Sequence, residues 1–348
     1  MKNLKILGIN ENTLNMYKKC FDENGSPKKK ENIKWQFLQN TESKSFVDIA
    51  FDEAMNKTAA IYATSCVKFK IGNDSYVGSQ SLDTITDVDY RGKGLFVNLA
   101  KSVYEKAKND NVSLVYGFPN GNSIHGFDKK LEWQVLDPVP FLLKPLKTKY
   151  FTKKIKFLSF LPNFNLSFSN FRNDENLIIK ECKSFPDQVN LIWKQFSLGI
   201  KVAVERDKAY LDWRYIKKPN ENYRIAHCYS RENEYFGFIV YTIKEKHNGK
   251  IAYIMEMLYD LNKKEVGKQL LKYAINKIKE ENADCILTWC LEHSPNYCVY
   301  KKASFFNLPE RFRPIELHFG VRTFMEKLRE VVNERSNWYI SYSDSDTV

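Results

Sequence analysis

The chain has 348 residues, of which 43% are hydrophobic, enough to fill the cores of two domains. This composition excludes a disordered protein. The 54 basic and 42 acidic residues leave a formal net charge of +12, which favours an anionic partner such as a phosphorylated metabolite, a lipid headgroup or nucleic acid.

The seven cysteines form no Cys-x-x-Cys pair and the five histidines are scattered, so the sequence predicts neither a disulfide framework nor a metal site. Residues 1–19 lack an apolar core long enough for a signal peptide, and no later run is long enough to cross a membrane. We therefore expect a cytoplasmic protein.

The first half of the chain predicts an α/β unit. Trp35 is followed by strands, a helix with apolar residues at helical spacing, and a further strand. In chain order these segments are FVDIAFDE, AAIYATSCVKFKIG, SQSLDTITDVD, LFVNLAKSVYEKAKND and VSLVYGF.

The second half repeats this order after Trp213. The corresponding segments are YRIAHCYS, FGFIVYTIKEKHNG, IAYIMEMLYD, VGKQLLKYAINKIKEEN and DCILTWC. Two copies of one unit explain the shared order, so we predict an α/β fold with two tandem units, each a mixed twisted β-sheet flanked by helices. The predicted boundaries are 1–147 and 176–330 for the units, 148–175 for their connection and 331–348 for a C-terminal tail.

Three further segments have structural interpretations, and two of them also allow a functional one. Residues 144–171 pass from lysines to a Phe- and Leu-rich run, which favours an interdomain connection because Pro162 interrupts it; a peripheral contact with an anionic membrane is the alternative. The residues after Arg335 resemble an exposed end. The Trp213-Arg214-Tyr215 cluster could stack on a sugar or base, although core packing is the favoured interpretation.

The loop YRGKGLF indicates a phosphate site. Gly92 and Gly94 allow a tight turn without a Cβ, and the backbone N–H groups of the turn and of the following helix point into one space. A P-loop would end in Gly-Lys-Ser/Thr, whereas this loop ends in Gly-Leu-Phe. A dinucleotide fingerprint would carry a third glycine and would not follow several strands.

The loop instead resembles the pyrophosphate loop of the GNAT superfamily of acyltransferases, which reads Arg or Gln, two residues, Gly, one residue, then Gly or Ala. Arg91 and Gly94 match, while Phe96 departs at the last small position. The flanking strands and the segment PNGNSIHGFDKKLEW are also similar to that family. The second unit's loop, YDLNKKEVGKQLL, has no glycine pair and no arginine, which predicts a degenerate second unit.

This resemblance implies two GNAT-like units, with acetyl-CoA or another acyl-CoA as co-substrate and no metal. The coenzyme would contact the loop and the segment after the second strand. The implied residues are Val88, Tyr90, Arg91, Gly92, Lys93, Gly94, Leu95, Phe96, Asn120, Asn122 and Phe127.

In such enzymes an amine attacks the thioester after losing a proton, and a backbone N–H on the splayed strand polarises the carbonyl. Asp83, Asp87 and His125 are the candidate bases; alternatively Asp83 faces solvent, Asp87 caps a turn and His125 lies on the surface. The family's tyrosine, which protonates the departing thiolate, is replaced by Phe127. Ser123, Tyr116 or water would then substitute, or the thiolate would leave unassisted.

The loop, the following GFPN and the paired units resemble bacterial acyltransferases of cell-surface glycan synthesis. That resemblance implies a nucleotide-linked or lipid-linked amino sugar as acceptor. A peptidyl transferase using aminoacyl-tRNA is an alternative, favoured by charge and duplication and disfavoured by the glycine loop. A non-catalytic acyl-CoA-binding module is a third. Plain nucleic-acid binding is disfavoured because no recognised module accompanies the charge.

Overall fold

The computed structural model describes residues 4–148, 152, 162–166, 171–246, 248–313, 317–345 and 347. Most of the predicted connection at 148–175 lies outside these residues, and so does most of the Phe- and Leu-rich run for which a membrane contact was the alternative. No helix in these ranges is long and apolar enough to cross a membrane.

The first unit alternates strands and helices as the hydrophobic pattern predicts. Helix α3, for example, buries Leu95, Leu99, Val103 and Ala107, which share one face at helical spacing. The elements are β1 (Leu4–Leu7), α1 (Leu14–Glu23), α2 (Lys30–Leu38), β2 (Ser45–Asp52), β3 (Lys57–Ile71), β4 (Asp74–Thr86), α3 (Leu95–Asn109), β5 (Leu114–Gly117), α4 (Ile124–Leu131), β6 (Gln134–Leu136) and β7 (Phe141–Pro145).

The second unit follows the same plan and ends in additional short elements. The elements are β8 (Leu177–Glu181), α5 (Val189–Phe196), β9 (Val202–Val204), α6 (Lys208–Leu211), β10 (Arg224–Ser230), β11 (Tyr235–Lys246), β12 (Gly249–Tyr259), α7 (Lys264–Glu280), β13 (Cys285–Trp289), α8 (Tyr297–Lys302), β14 (Phe306–Asn307), β15 (Phe319–Thr323) and α9 (Arg329–Asn333). A π-helical turn at Asp212–Ile216 continues α6.

Each unit is built on one mixed sheet, which confirms the predicted fold class. The strand orders are β1-β2-β3-β4-β5-β15-β6, with β9 also pairing with β3, and β8-β10-β11-β12-β13-β7-β14. Among these pairs only β4–β5 and β12–β13 are parallel. Because the parallel pairs occupy the same place in both orders, the two sheets repeat one topology.

The sheets exchange strands across the predicted domain boundaries. Strand β7 lies within the predicted bounds of the first unit but pairs with β13 and β14 of the second sheet. Strand β15, near the C-terminus, pairs with β5 and β6 of the first sheet. Each sheet is therefore completed by a strand from the other half of the chain.

The two tryptophans that mark the repeat meet where the units pack together. The Trp35 and Trp213 rings stack with centroids 4.4 Å apart. The indole N–H of Trp35 donates to the carbonyl of Trp213 at 3.0 Å, and that of Trp213 to the carbonyl of Trp35 at 3.3 Å. This reciprocal contact supports duplication. Trp213, Arg214 and Tyr215 are buried, in agreement with the favoured core interpretation.

The expectation of an exposed C-terminal end is wrong. Trp338, Tyr339 and Tyr342 are buried, and the Tyr342 ring stacks on Trp289 with centroids 4.8 Å apart. Asp344 is also buried and forms an ion pair with Arg206 at 2.5 Å. Asp344 and the buried serines of this segment therefore have polar partners inside the protein, which offsets part of the cost of burying them.

Candidate active site

The parallel strands β4 and β5 separate at one point and leave a fork. Their pairing runs from Ser79 with Val115 to Ser81 with Gly117, after which β5 ends and β4 continues to Thr86. A β-bulge lies at the same point: Ser81 pairs with Thr64 and Asp83 with Ala63, so Leu82 has no Cα partner on β3. Bulges of this kind re-aim the backbone next to functional sites.

A cleft of about 710 Å³ occupies the fork, a size typical of small-molecule sites. One side is formed by β4 and the residues after β5, and the other by the α1–α2 segment and the glycine loop. The lining residues are Phe21, Asn24, Ser26, Ser81, Leu82, Thr84, Ile85, Thr86, Arg91, Phe96, Gly117, Phe118, Pro119, Asn120, Asn122, Ser123, Phe127 and Trp133.

The glycine loop has the backbone conformation that an anion cradle requires. Gly92 and Gly94 have φ values of 75° and 72°, in the left-handed region that favours glycine. Gly94 is the N-cap of α3 and has no side chain to bond the first N–H groups of this helix. Helix N-termini with free N–H groups attract phosphate oxygens. The loop can therefore hold a pyrophosphate at the cleft.

The other predicted loop residues differ in their access to the cleft. Arg91 lines it, and its Nε donates to the Thr86 carbonyl at 3.4 Å. The buried Tyr90 hydroxyl instead donates to Asp52 at 2.8 Å. The Lys93 ammonium bonds the Asp89 carbonyl at 3.1 Å, and the Val88 side chain is exposed. Leu95 is buried in the core below α3.

Two aromatic residues form one wall of the cleft. The Phe96 and Phe127 rings are 5.1 Å apart, and the Phe127 ring packs on Trp133 at 4.5 Å. A Cβ at Gly126 would collide with the Phe96 ring, so glycine is required there. Gly126 on α4 therefore leaves room for Phe96, the large residue at the last position of the loop motif.

The candidate bases lie in three different surroundings. The buried Asp83 carboxylate accepts hydrogen bonds from the Tyr17 hydroxyl at 2.7 Å and from Lys28 at 2.5 Å, and it is not among the lining residues. The alternative that Asp83 faces solvent is wrong. His125 is exposed on α4 and also does not line the cleft.

Asp87 has the geometry of a turn cap. It accepts from the Asp89 N–H at 3.1 Å, from Asn24 at 3.0 Å and from Lys57 at 2.8 Å. Burial alone would raise the pKa of Asp87, but the hydrogen bonds from Lys57, Asn24 and Asp89 outweigh it and lower the pKa. A carboxylate stabilised in this way is a weak base.

The segment after β5 forms a turn that borders the cleft. The Asn120 side chain accepts from the backbone N–H groups of Asn122 and Ser123 at 3.1 and 3.2 Å. The Ser123 hydroxyl bonds Asn120 in turn. Tyr116 points to the opposite face of the sheet, where its ring packs on Phe69 at 5.1 Å, so it does not line the cleft.

The lining residues of β4 and of the α1–α2 segment were not predicted from the sequence. Ser81, Thr84, Phe21 and Asn24 belong to this group. Strand β4 is longer than its neighbour β5, and this could have indicated Ser81 and Thr84, because a ligand can bind at an unpaired strand edge. Nothing local marks the α1–α2 segment, which reaches the cleft only through the tertiary fold.

A splayed parallel pair, a bulge at the fork and a glycine loop before a helix are the features of the GNAT fold. Residues 10–135 match the family model described as an acetyltransferase (GNAT) domain. The first unit therefore carries a GNAT domain. A sequence comparison with curated proteins gives no match.

Solved structures show the same fold over nearly the whole chain. Saccharomyces cerevisiae N-myristoyltransferase with bound myristoyl-CoA aligns over 92% of this chain and 83% of its own, with a TM-score of 0.60 and 12% identity. A conserved protein of unknown function from Enterococcus faecalis, described as a probable N-acyltransferase, aligns over 92% and 72%, with a TM-score of 0.61 and 12% identity. These similarities establish the tandem GNAT fold and, with the domain match, support an acyltransferase.

Proposed function

We propose that the protein transfers an acyl group from acyl-CoA, acetyl-CoA in the first instance, to an amino group of its acceptor. The observation that carries this proposal is the open fork between β4 and β5 beside a glycine loop in left-handed conformation. The loop N–H groups would bind the pyrophosphate, and the free edge of β4 would bind the pantetheine amides.

In the proposed reaction the amine nitrogen attacks the thioester carbonyl while the carbon–sulphur bond breaks toward sulphur. The bulge residue Leu82 would supply a backbone N–H to the carbonyl oxygen, where negative charge develops. Asp83 follows Leu82 directly and would accept the amine proton, through water because it does not line the cleft. Asp87 and His125 are the remaining candidates, and substituting each of the three separately would decide among them.

The acceptor that we propose is a nucleotide-linked or lipid-linked amino sugar, handled in the cytoplasm or at the membrane surface. Lys28, Lys29 and Lys30 follow the α1 residues that line the cleft, which suits a phosphorylated acceptor. Lys28 contacts Asp83, whereas Lys29 is exposed and bonds Asn220 at 3.0 Å. Phosphate on the acceptor would meet this basic segment.

The first test is calorimetric binding of acetyl-CoA to the wild type and to the Gly92→Glu/Gly94→Glu variant. We expect wild-type binding to weaken at least 100-fold in the variant, because two carboxylates would repel the pyrophosphate and strain the loop. Gly72→Glu is the matched control: Gly72 also has a left-handed φ, of 64°, and lies at the far end of the β3–β4 hairpin. Equal losses in both variants, or no wild-type binding, would contradict the proposal.

Myristoyl-CoA should be titrated beside acetyl-CoA. The yeast structural neighbour holds myristoyl-CoA, and this favours a longer acyl group as the second candidate for this chain. Tighter binding of myristoyl-CoA that still depends on Gly92 and Gly94 would keep the acyl-CoA proposal and replace the acetyl group.

A further inference from the structure

A chain of buried polar groups ends at the fork between β4 and β5. The Trp133 indole N–H donates to the Tyr104 hydroxyl at 2.9 Å. The Tyr104 hydroxyl lies 2.7 Å from that of Tyr62, which lies 2.9 Å from the Ser81 hydroxyl. Tyr62, Tyr104 and Trp133 are buried, whereas Ser81 lines the cleft. The chain thus leads from the core to the site.

The direction of these hydrogen bonds follows from the chemistry of the first donor. An indole N–H donates and cannot accept, so the Tyr104 oxygen is the acceptor. If Tyr104 accepted from Tyr62 as well, its own buried proton would have no partner, which costs about 1–3 kcal/mol. Tyr104 therefore donates to Tyr62, and Tyr62 donates to Ser81. The Ser81 proton remains for a group in the cleft.

The position of Ser81 places this proton at the narrow end of the fork. Ser81 is the last β4 residue paired with β5, opposite Gly117. A Cβ at Gly117 would lie 2.9 Å from the Ser81 carbonyl oxygen and 3.4 Å from its Cβ. Any larger residue would fill the fork and cover the hydroxyl. Gly117 therefore keeps Ser81 accessible.

The residues that the sequence suggested as proton donors do not offer a comparable proton. Ser123 bonds Asn120, Tyr116 lies on the opposite face of the sheet, and Phe127 has no hydroxyl. The Phe127 ring is 6.4 Å from the Tyr62 ring, so the buried chain runs directly behind the Phe127 wall. Burial raises the pKa of Tyr62, which favours the neutral hydroxyl that donates to Ser81.

We propose that the Ser81 hydroxyl, oriented by Tyr62 and Tyr104, donates a hydrogen bond to the thioester sulphur and to the coenzyme A thiolate that leaves. This inference rests on the proposed function. When the amine nitrogen bonds the carbonyl carbon, the carbon–sulphur electron pair passes to sulphur, and Ser81 stabilises that charge while keeping its own proton. The thiolate is protonated from solvent afterwards.

The test compares the binding of coenzyme A and of desulfo-coenzyme A, which lacks the sulphur. For the wild type we expect coenzyme A binding to tighten as the pH rises and the coenzyme thiol ionises, because the bound thiolate accepts from Ser81. Ser81→Ala should weaken thiolate binding about 10- to 100-fold, as expected for loss of a hydrogen bond to a charged group. Binding of desulfo-coenzyme A should stay within about twofold.

Tyr62→Phe tests the positioning role. The Ser81 hydroxyl would remain but would no longer be oriented, so the preference for coenzyme A over desulfo-coenzyme A should fall by about 3- to 10-fold. Ser79→Ala is the matched control, since Ser79 precedes Ser81 by two residues on the same face of β4 and its buried hydroxyl has no hydrogen-bond partner in the described structure. Ser79→Ala should leave the preference unchanged.

The possible outcomes distinguish a failure of the Ser81 proposal from a failure of the acyl-CoA proposal on which it rests. If the wild type binds neither ligand, the acyl-CoA proposal fails. If it binds both with the same pH dependence, or if Ser81→Ala weakens both equally in a protein still folded by circular dichroism, acyl-CoA binding stands and the role of Ser81 is overturned.

Discussion

The two units place the same fork in the same position, but only the first leaves it open. In the second unit β12 and β13 pair up to Ile254 and Thr288, after which β12 continues to Tyr259. Met255 is the bulge residue, as Leu82 is in the first. There the Asn296 side chain donates to the Met257 carbonyl at 2.8 Å, and the C-terminal segment 338–345 packs against β12.

The loops before helices α3 and α7 also differ, in their length. Helix α3 begins at Leu95, eight residues after Asp87, whereas α7 begins at Lys264, four residues after Asp260. Both aspartates accept an N–H from two residues later, so the turns correspond. The second loop is therefore too short for an Arg-Gly-Lys-Gly stretch. The start of α7 also packs closely on the end of β12, since a Cβ at Gly267 would lie 2.5 Å from the Tyr259 ring.

The carboxylates that follow the two bulges, Asp83 and Glu256, have different surroundings in the two units. Asp83 is paired with Lys28, which is partly exposed. Glu256 is fully buried, where it bonds Arg206 at 2.8 Å and accepts hydrogen bonds from Tyr339 and Ser341 of the C-terminal segment. All of these partners come from the second half of the chain.

The largest effect is expected from Arg206→Met. Arg206 is fully buried between Glu256 and Asp344, so its loss would leave two carboxylates without a cation in the interior. We expect the free energy of unfolding to fall by about 3–5 kcal/mol in urea titrations. Lys28→Met, which removes the corresponding partner of Asp83, should cost about 1–2 kcal/mol because that pair reaches solvent. Equal losses would contradict the contrast between the units.

The second unit should also carry a histidine-dependent acid sensitivity, at a position where the first unit has no histidine. Burial lowers the pKa of His227 to about 4, and both ring nitrogens have partners, the Tyr235 hydroxyl and the Ser184 carbonyl, each at 3.0 Å. The unfolded histidine titrates near 6.5, so between pH 6.5 and 4 the unfolded state binds more protons and stability falls as the pH falls. The corresponding position of the first sheet holds Ile49.

Unfolding of the wild type and of His227→Asn at pH 7 and pH 4 would measure this contribution. The stability advantage of the wild type over the variant should shrink by about 3 kcal/mol on acidification, because the variant has no proton to bind. An advantage that stays constant with pH would show that His227 is protonated in the folded state.

Local patterns predicted the strands and helices, because burial in both units follows their periods, and they predicted the tight turn at Gly92 and Gly94. They did not predict the exchange of β7 and β15, since each strand is apolar enough for either sheet and only tertiary pairing decides. The Ser- and Asp-rich end was wrongly expected to be exposed, because its partner Arg206 lies more than a hundred residues earlier. The polar chain behind Ser81 draws on three separate elements and on the turn before β6, and it leaves no local signal.

The smallest effect concerns the contact that joins the two copies. Trp35→Phe and Trp213→Phe each remove one reciprocal N–H bond and part of a stacked pair, so each should cost about 1–2 kcal/mol. Because each substitution disturbs both halves of the contact, a double-mutant cycle should give a coupling free energy of about 0.5–1.5 kcal/mol. Additive losses would mean that the two tryptophans stabilise their own units separately, and that other contacts, such as the exchanged strands and the β3–β9 pair, hold the two copies together.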